Sequence, residues 1–168
     1  MSEGSQNRVE PPVSPISKPF WDATRERRLV LQWCRDCDAP VHYPREACPR
    51  CLSASLEWRA ASGRGEVYAV SIMHRPGNPG MADRVPYTVA LVDLDEGARL
   101  MTNVVGCKPS DVRVGMRVAV TWEPLRDGRA LPLFEPAPRK EAHRPQAAGR
   151  PARRSRSSRL KSGDGSKQ

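Results

Sequence analysis

From Gly63 onward, apolar and polar residues follow one another in short runs divided by turn residues, the texture of a β domain. The first predicted strand is Glu66–Arg75 (EVYAVSIMHR), followed by a Pro/Gly-rich loop, Pro76–Pro86. The second is Tyr87–Leu94 (YTVALVDL), closed by Asp95-Glu96-Gly97 as a hairpin turn. Arg99–Val105 (RLMTNVV) makes a third, and a short helical turn around Pro109–Val112 leads past Gly115 to a fourth, Met116–Trp122 (MRVAVTW). A weaker fifth run, Arg129–Phe134, follows the turn Asp127-Gly128. Five strands with a brief helical link between the third and fourth give the order of an OB-type barrel.

The alternation differs between strands. In the fourth run Met116, Val118, Val120 and Trp122 share one face, against Arg117, Ala119 and Thr121, so that strand has a core side and a wet side. In the second run both faces are largely apolar: Tyr87, Val89 and Leu91 against Ala90, Val92 and Leu94. A small barrel needs only its inner face apolar. Two explanations stand open: an N-terminal helix and ribbon cover the outer face, or a partner does.

Ahead of the barrel, residues 1–18 contain Pro11, Pro12 and Pro15 among small and polar residues and are expected to form a flexible lead-in. Ser17 is a candidate cap for a short helix through Phe20, Trp21, Thr24 and Arg25, with Pro19 tolerated in its first turn. Leu29-Val30-Leu31 begins a strand that runs into Cys34. Residues 19–60 are assigned to helix and ribbon, 61–137 to the barrel, and 138–168 to a disordered basic tail without periodicity.

Cys34-Arg-Asp-Cys37 and Cys48-Pro-Arg-Cys51 form a doubled C-x2-C set with ten residues between the pairs. Each C-x2-C makes a tight knuckle that points two thiolates at one centre, and two knuckles supply the tetrahedral sulfur shell that zinc prefers. Four thiolates leave no open position for a reacting water, so the metal is expected to be structural. The same shell suits iron, but no second redox module accompanies it, which favours zinc. His42 lies in the connector and is expected at a turn or on the surface. Cys107 is expected to be a small apolar filler. Nothing brings His74 and Asp93 together as an acid–base pair, and no nucleophile motif or phosphate loop is present.

The net charge of +9 belongs to the tail. Residues 138–168 carry ten Lys/Arg against two acidic residues, Glu141 and Asp164, or +8, which leaves about +1 for residues 1–137. The first residues (MSEGSQNRVEPPVSP) lack an apolar signal-type segment, and no run approaches the ~18 apolar residues that a membrane span needs. A cytoplasmic location is expected, where five cysteines serve as metal ligands more readily than as disulfides.

FWDATRERRLVLQWCRDCDAPVHYPREACPRC, the S-G-x-G-x-V entry at Ser62–Val67 and P-Y-x-V-A-L-V at Pro86–Val92 together resemble one known family. It joins a rubredoxin-like zinc ribbon to an OB fold and was long treated as a domain of unknown function. The resemblance covers about Pro19 to Pro136. It implies a mainly β fold and carries the metal-ligand positions to Cys34, Cys37, Cys48 and Cys51. It further implies a non-catalytic accessory subunit for a thiolase-like, aldolase or MaoC-type hydratase enzyme, with a CoA thioester bound jointly with that partner. Many relatives place glycine after the second and fourth cysteines, where this chain has Asp38 and Leu52. On that basis Arg75 and Arg84, in the loop after the first barrel strand, are candidates to meet CoA phosphates.

A nucleic-acid-binding module is the alternative. The barrel offers Tyr68, Tyr87, Trp122 and Phe134 as stacking candidates but no basic stripe, so affinity would come from the tail and fall steeply with salt.

Overall fold

The computed structural model describes residues 9–137; the expected basic tail and the first eight residues lie outside the described residues. One helix, α1 (Lys18–Arg25), opens the fold with a proline in its first turn. Ser17 occupies the N-cap, but its hydroxyl makes no cap bond and instead turns back to Ser14, accepting from the Ser14 backbone N–H at 3.0 Å. Phe20, Ala23 and Thr24 face inward.

The ribbon follows as β1 (Val30–Cys34), β2 (Ala39–Val41) and β3 (Leu56–Ala60), an antiparallel sheet in the order β2-β1-β3. The barrel strands are β4 (Arg64–Met73), β5 (Tyr87–Leu94), β6 (Arg99–Thr102), β7 (Arg117–Pro124) and β8 (Ala130–Pro136), in the order β6-β5-β4-β7-β8. The sheet curls until its two edges meet. A parallel bridge joins Val104 to Phe134, Phe134 N–H donates to Asn103 O at 3.0 Å, and Val105 N–H donates to Phe134 O at 2.7 Å. This is the partly open five-stranded barrel that the alternation predicts.

The S-G-x-G-x-V entry has a packing cause. A Cβ on Gly65 would sit 2.5 Å from Asp93 O, so β4 and β5 approach too closely for any side chain there. A bulge between Val67 and Ala69 then bends β4 so that it serves both halves of the curl.

Barrel, helix and the start of β1 share one core, in which Phe20, Ala23, Leu29 and Leu31 meet Val67, Ala90, Val92, Leu94, Val118 and Phe134. Met116, Val120 and Trp122 pack against it from the fourth predicted run. Along β5 the alternation is strict: Thr88, Ala90, Val92 and Leu94 are buried, while Tyr87, Val89, Leu91 and Asp93 are half-buried. Helix and ribbon thus join the inward set. The expectation that they cover the second apolar face of β5 is corrected: a curled sheet is open at its ends, and they close that opening.

Two side-chain bonds fix the helix to the barrel. Ala130 N–H donates to Thr24 Oγ1 at 3.2 Å, and Thr24 Oγ1 donates to Trp21 O at 2.7 Å. Arg129, only 5% exposed, lies over the Trp21 ring at 4.8 Å and donates to Pro11 O at 2.9 Å. Glu10 accepts from Arg126 N–H at 2.9 Å. Residues 10 and 11, inside the expected lead-in, are therefore held along the β7–β8 turn. No helix among the described residues is long and apolar enough to cross a membrane.

Candidate metal centre

Cys34 closes β1, and Cys37 follows in the turn to β2; Cys48 and Cys51 form the facing turn before β3. All four sulfurs lie within 4.8 Å of one another. Cys34 Sγ is 3.7 Å from Cys51 Sγ, and Cys48 Sγ is 3.9 Å from Cys37 Sγ. A tetrahedral shell with metal–sulfur bonds of about 2.3 Å has sulfur–sulfur edges of about 3.8 Å. The four cysteines are thus positioned to bind one metal ion.

Backbone geometry tunes these thiols. Arg50 N–H points at Cys48 Sγ and Cys37 N–H at Cys34 Sγ, each at 3.4 Å. Donation from Arg50 is the main influence that lowers the Cys48 thiol to about 7. Cys37 lacks such donors, and bonding to the neighbouring Cys51 thiol pushes it up to about 12. Four crowded sulfurs resist ionising together, and a cation among them removes that penalty.

Both knuckles turn through the left-handed region, at Asp38 (φ 45°) and Leu52 (φ 62°), the two positions where glycine is common among the resembling sequences. Asp38 is compensated: its Oδ1 accepts from Trp33 Nε1 at 2.8 Å and from Arg59 Nη1 at 3.3 Å, and these bonds hold its carboxyl below the usual carboxylate range. Leu52 has no such support and is 80% exposed. The knuckle shape survives both substitutions.

His42 stands apart from the sulfur cluster. Its ring tilts against Tyr43 with centroids 4.2 Å apart, and burial pushes its imidazole down to about 4. It lines a cavity of about 350 Å3 with Phe20, Trp21, Tyr43, Met101 and Leu133, between helix, ribbon and barrel. The expectation of a turn or surface histidine is corrected to a half-buried one, because the ribbon connector folds back over the helix.

The remaining candidates fall apart in space. Arg84 ends a 3-10 turn, Pro79–Arg84, and both its Nη atoms donate to Glu123, at 2.8 and 3.0 Å. Arg75 is exposed just beyond β4. Asp93 binds Arg99 at 2.6 and 2.9 Å, while His74 is exposed in the loop after β4. Cys107 is half-buried against the core, as a filler should be, and burial raises its thiol. Of the stacking candidates, Phe134 is fully buried and Trp122 packs on the core. Tyr87 accepts from Gly77 N–H at 3.3 Å, and the Tyr68 ring is capped by the Arg99 guanidinium at 3.3 Å.

Sequence reasoning missed Arg129. Its partners Glu10, Pro11 and Trp21 lie more than a hundred residues away, and no local spacing signals such a contact.

Comparison with known proteins places these features together. Residues 21–57 match the rubredoxin-like zinc ribbon domain of ChsH2, and residues 58–123 match its C-terminal OB-fold domain. A probable enoyl-CoA hydratase alpha subunit of Thermomonospora curvata is 38% identical over 136 residues, covering 80% of this chain and 42% of that one. A DUF35 domain-containing scaffold protein of Methanocaldococcus jannaschii is 34% identical, covering 64% of this chain and 77% of that one. A solved chain of an Ltp2-ChsH2(DUF35) aldolase superposes with a TM-score of 0.68 at 38% identity, covering 76% of this chain and 98% of the other. The chain spans about two fifths of the length of the curated hydratase alpha subunits it matches.

Proposed function

The chain belongs to the ChsH2 family of linked zinc-ribbon and OB-fold domains, and from that membership we propose that it is a non-catalytic accessory subunit of an enzyme acting on acyl-CoA. The observation that carries this is the match to nearly the whole ChsH2(DUF35) chain of an aldolase. Relatives described as a hydratase alpha subunit and as scaffold proteins support the same role. The partner is an aldolase or MaoC-type hydratase, with a thiolase-like enzyme as the third member of that class.

In this role Cys34, Cys37, Cys48 and Cys51 ligate one structural zinc ion, which supplies a fixed cross-link between the two knuckles. The ribbon strands hold the sulfurs at tetrahedral spacing, and the shared core transmits that order to helix and barrel. Arg75, exposed beside the loop after β4, is available to a CoA phosphate of a thioester held jointly with the partner. Arg84 contributes only by exchanging Glu123 for that phosphate. The capped Tyr68 ring and the buried Phe134 weigh against nucleic-acid stacking on the barrel. The site of action is the cytoplasm.

A tagged pulldown from the native host at moderate salt tests this, using the full chain and a version ending at Ala137. Recovery of an aldolase, hydratase or thiolase-like subunit by both is expected. Nucleic acid alone, lost with the tail and with salt, would replace this function with tail-driven polyanion binding.

A further inference from the structure

The two edges of β4 are used differently. One edge pairs with β5 from Gly65 to Met73. The other pairs with β7 only at Arg64, Gly65 and Glu66. Its last bonds run from Val67 N–H to Met116 O and from Gly115 N–H to Val67 O, each 2.9 Å. From Tyr68 to Met73 no strand lies beside this edge among the described residues.

An unpaired strand edge is a template for another strand, and proteins usually blunt it with charge, proline or a cover. Val67–Met73 (VYAVSIM) contains neither charge nor proline. Tyr68 is 52% exposed and Ile72 37% exposed. Val114, 65% exposed, immediately precedes the Gly115 that makes one of the last bonds. The stretch is apolar, uncovered and unguarded.

The charges at its ends choose the occupant. Arg99 pairs with Asp93, Arg117 with Asp95 and Arg84 with Glu123. Glu66 and Arg75 have no ion-pair partner among the described residues. One carries negative charge before the neutral stretch, the other positive charge after it. That order is self-complementary. Antiparallel pairing of β4 with the β4 of a second copy lays Glu66 of each chain beside His74 and Arg75 of the other, and the two-fold repeats the contact.

We propose that the free edge Tyr68–Met73 is the seam of a homodimer, closed by antiparallel β4–β4 pairing and locked by two Glu66–Arg75 contacts. The pairing satisfies the exposed backbone groups and covers Tyr68 and Ile72. It does not rest on which enzyme the chain serves.

The test is the mass of the full chain by size-exclusion chromatography with light scattering over a wide concentration range. A two-chain mass is expected. Glu66→Arg and Arg75→Glu should each raise the dimer dissociation constant about tenfold or more, and the double swap should restore it. Both residues are exposed, so thermal melts should show all three variants folded. Hydrogen exchange at Tyr68–Met73 should slow as concentration rises. A single-chain mass at every concentration, a dimer indifferent to the single swaps, or a double swap no better than either single would each overturn the proposal. Protection of this edge only after an enzyme subunit is added would assign it to that enzyme instead, leaving the accessory role intact.

Discussion

Glu123 holds both Nη atoms of Arg84, at 2.8 and 3.0 Å, and so ties the loop after β4 to the far end of β7. Both side chains are more than half withdrawn from water, at 30% and 18% exposure. A partly buried pair of this kind is worth little against apolar isosteres, but breaking one side leaves an uncompensated charge. Glu123→Gln should therefore cost about 2 kcal/mol in urea unfolding, and Arg84→Met with Glu123→Leu should cost less than that single change. A double variant as unstable as Glu123→Gln would mean that the pair stabilises beyond simple charge compensation.

Leu52 sits at φ 62° without the side-chain bonds that support Asp38. A left-handed conformation costs an L-residue about 1–2 kcal/mol, and glycine avoids that while adding unfolded-state entropy of about 0.4–1 kcal/mol. Leu52→Gly should therefore stabilise the metal-loaded chain by about 0.5–1 kcal/mol. Leu52→Val, whose branched Cβ tolerates this region poorly, should destabilise it. Since Leu52 is 80% exposed, little packing is lost in either variant, and thermal melts read the backbone effect directly.

The two cysteine knuckles were legible because ligand spacing is local: four residues in two short turns define the site before any fold is known. Tyr87–Leu94 was legible for a similar reason, its alternation being long and uninterrupted, and the strand has those bounds in the fold. Leu56–Ala60 was not foreseen as β3. Its sequence, LEWRA, has two charges in five residues, and it becomes a strand because β1 offers it a paired edge. Arg129 escaped notice because its contacts join the two ends of the described chain. The second apolar face of β5 was legible as a pattern but not as a cause, since alternation does not say on which side a neighbour packs.

Removing the metal should unfold more than the ribbon. Cys34 and Cys48 are buried with Val41 in a small cluster, and β1 carries Val30 and Leu31 from that cluster into the main core. Elemental analysis of the purified protein should give one zinc per chain, and Cys37→Ser should lower that occupancy. A strong chelator should reduce the cooperativity of the melt, not merely shift it. A chelated protein with an unchanged melt would mean that the shared core holds the ribbon without its cross-link.

His42 makes stability depend on pH, and the sign follows from its burial. Its imidazole is held at about 4 by desolvation, against the ordinary value of 6.5 for the unfolded chain. Between those values the unfolded chain binds a proton that the folded chain refuses, so stability rises with pH through that window. The contribution is complete above about 6.5, is lost as pH falls toward 4, and reaches about 2–3 kcal/mol at the acid end. His42→Gln removes the titrating group while keeping a polar side chain in the wall shared with Tyr43 and Trp21. Loss of metal at low pH affects both proteins alike, so the difference between their stabilities isolates the imidazole. Urea unfolding across this range should show a steeper loss in the parent than in the variant. Parallel curves would mean that the cavity admits enough water to solvate the protonated ring.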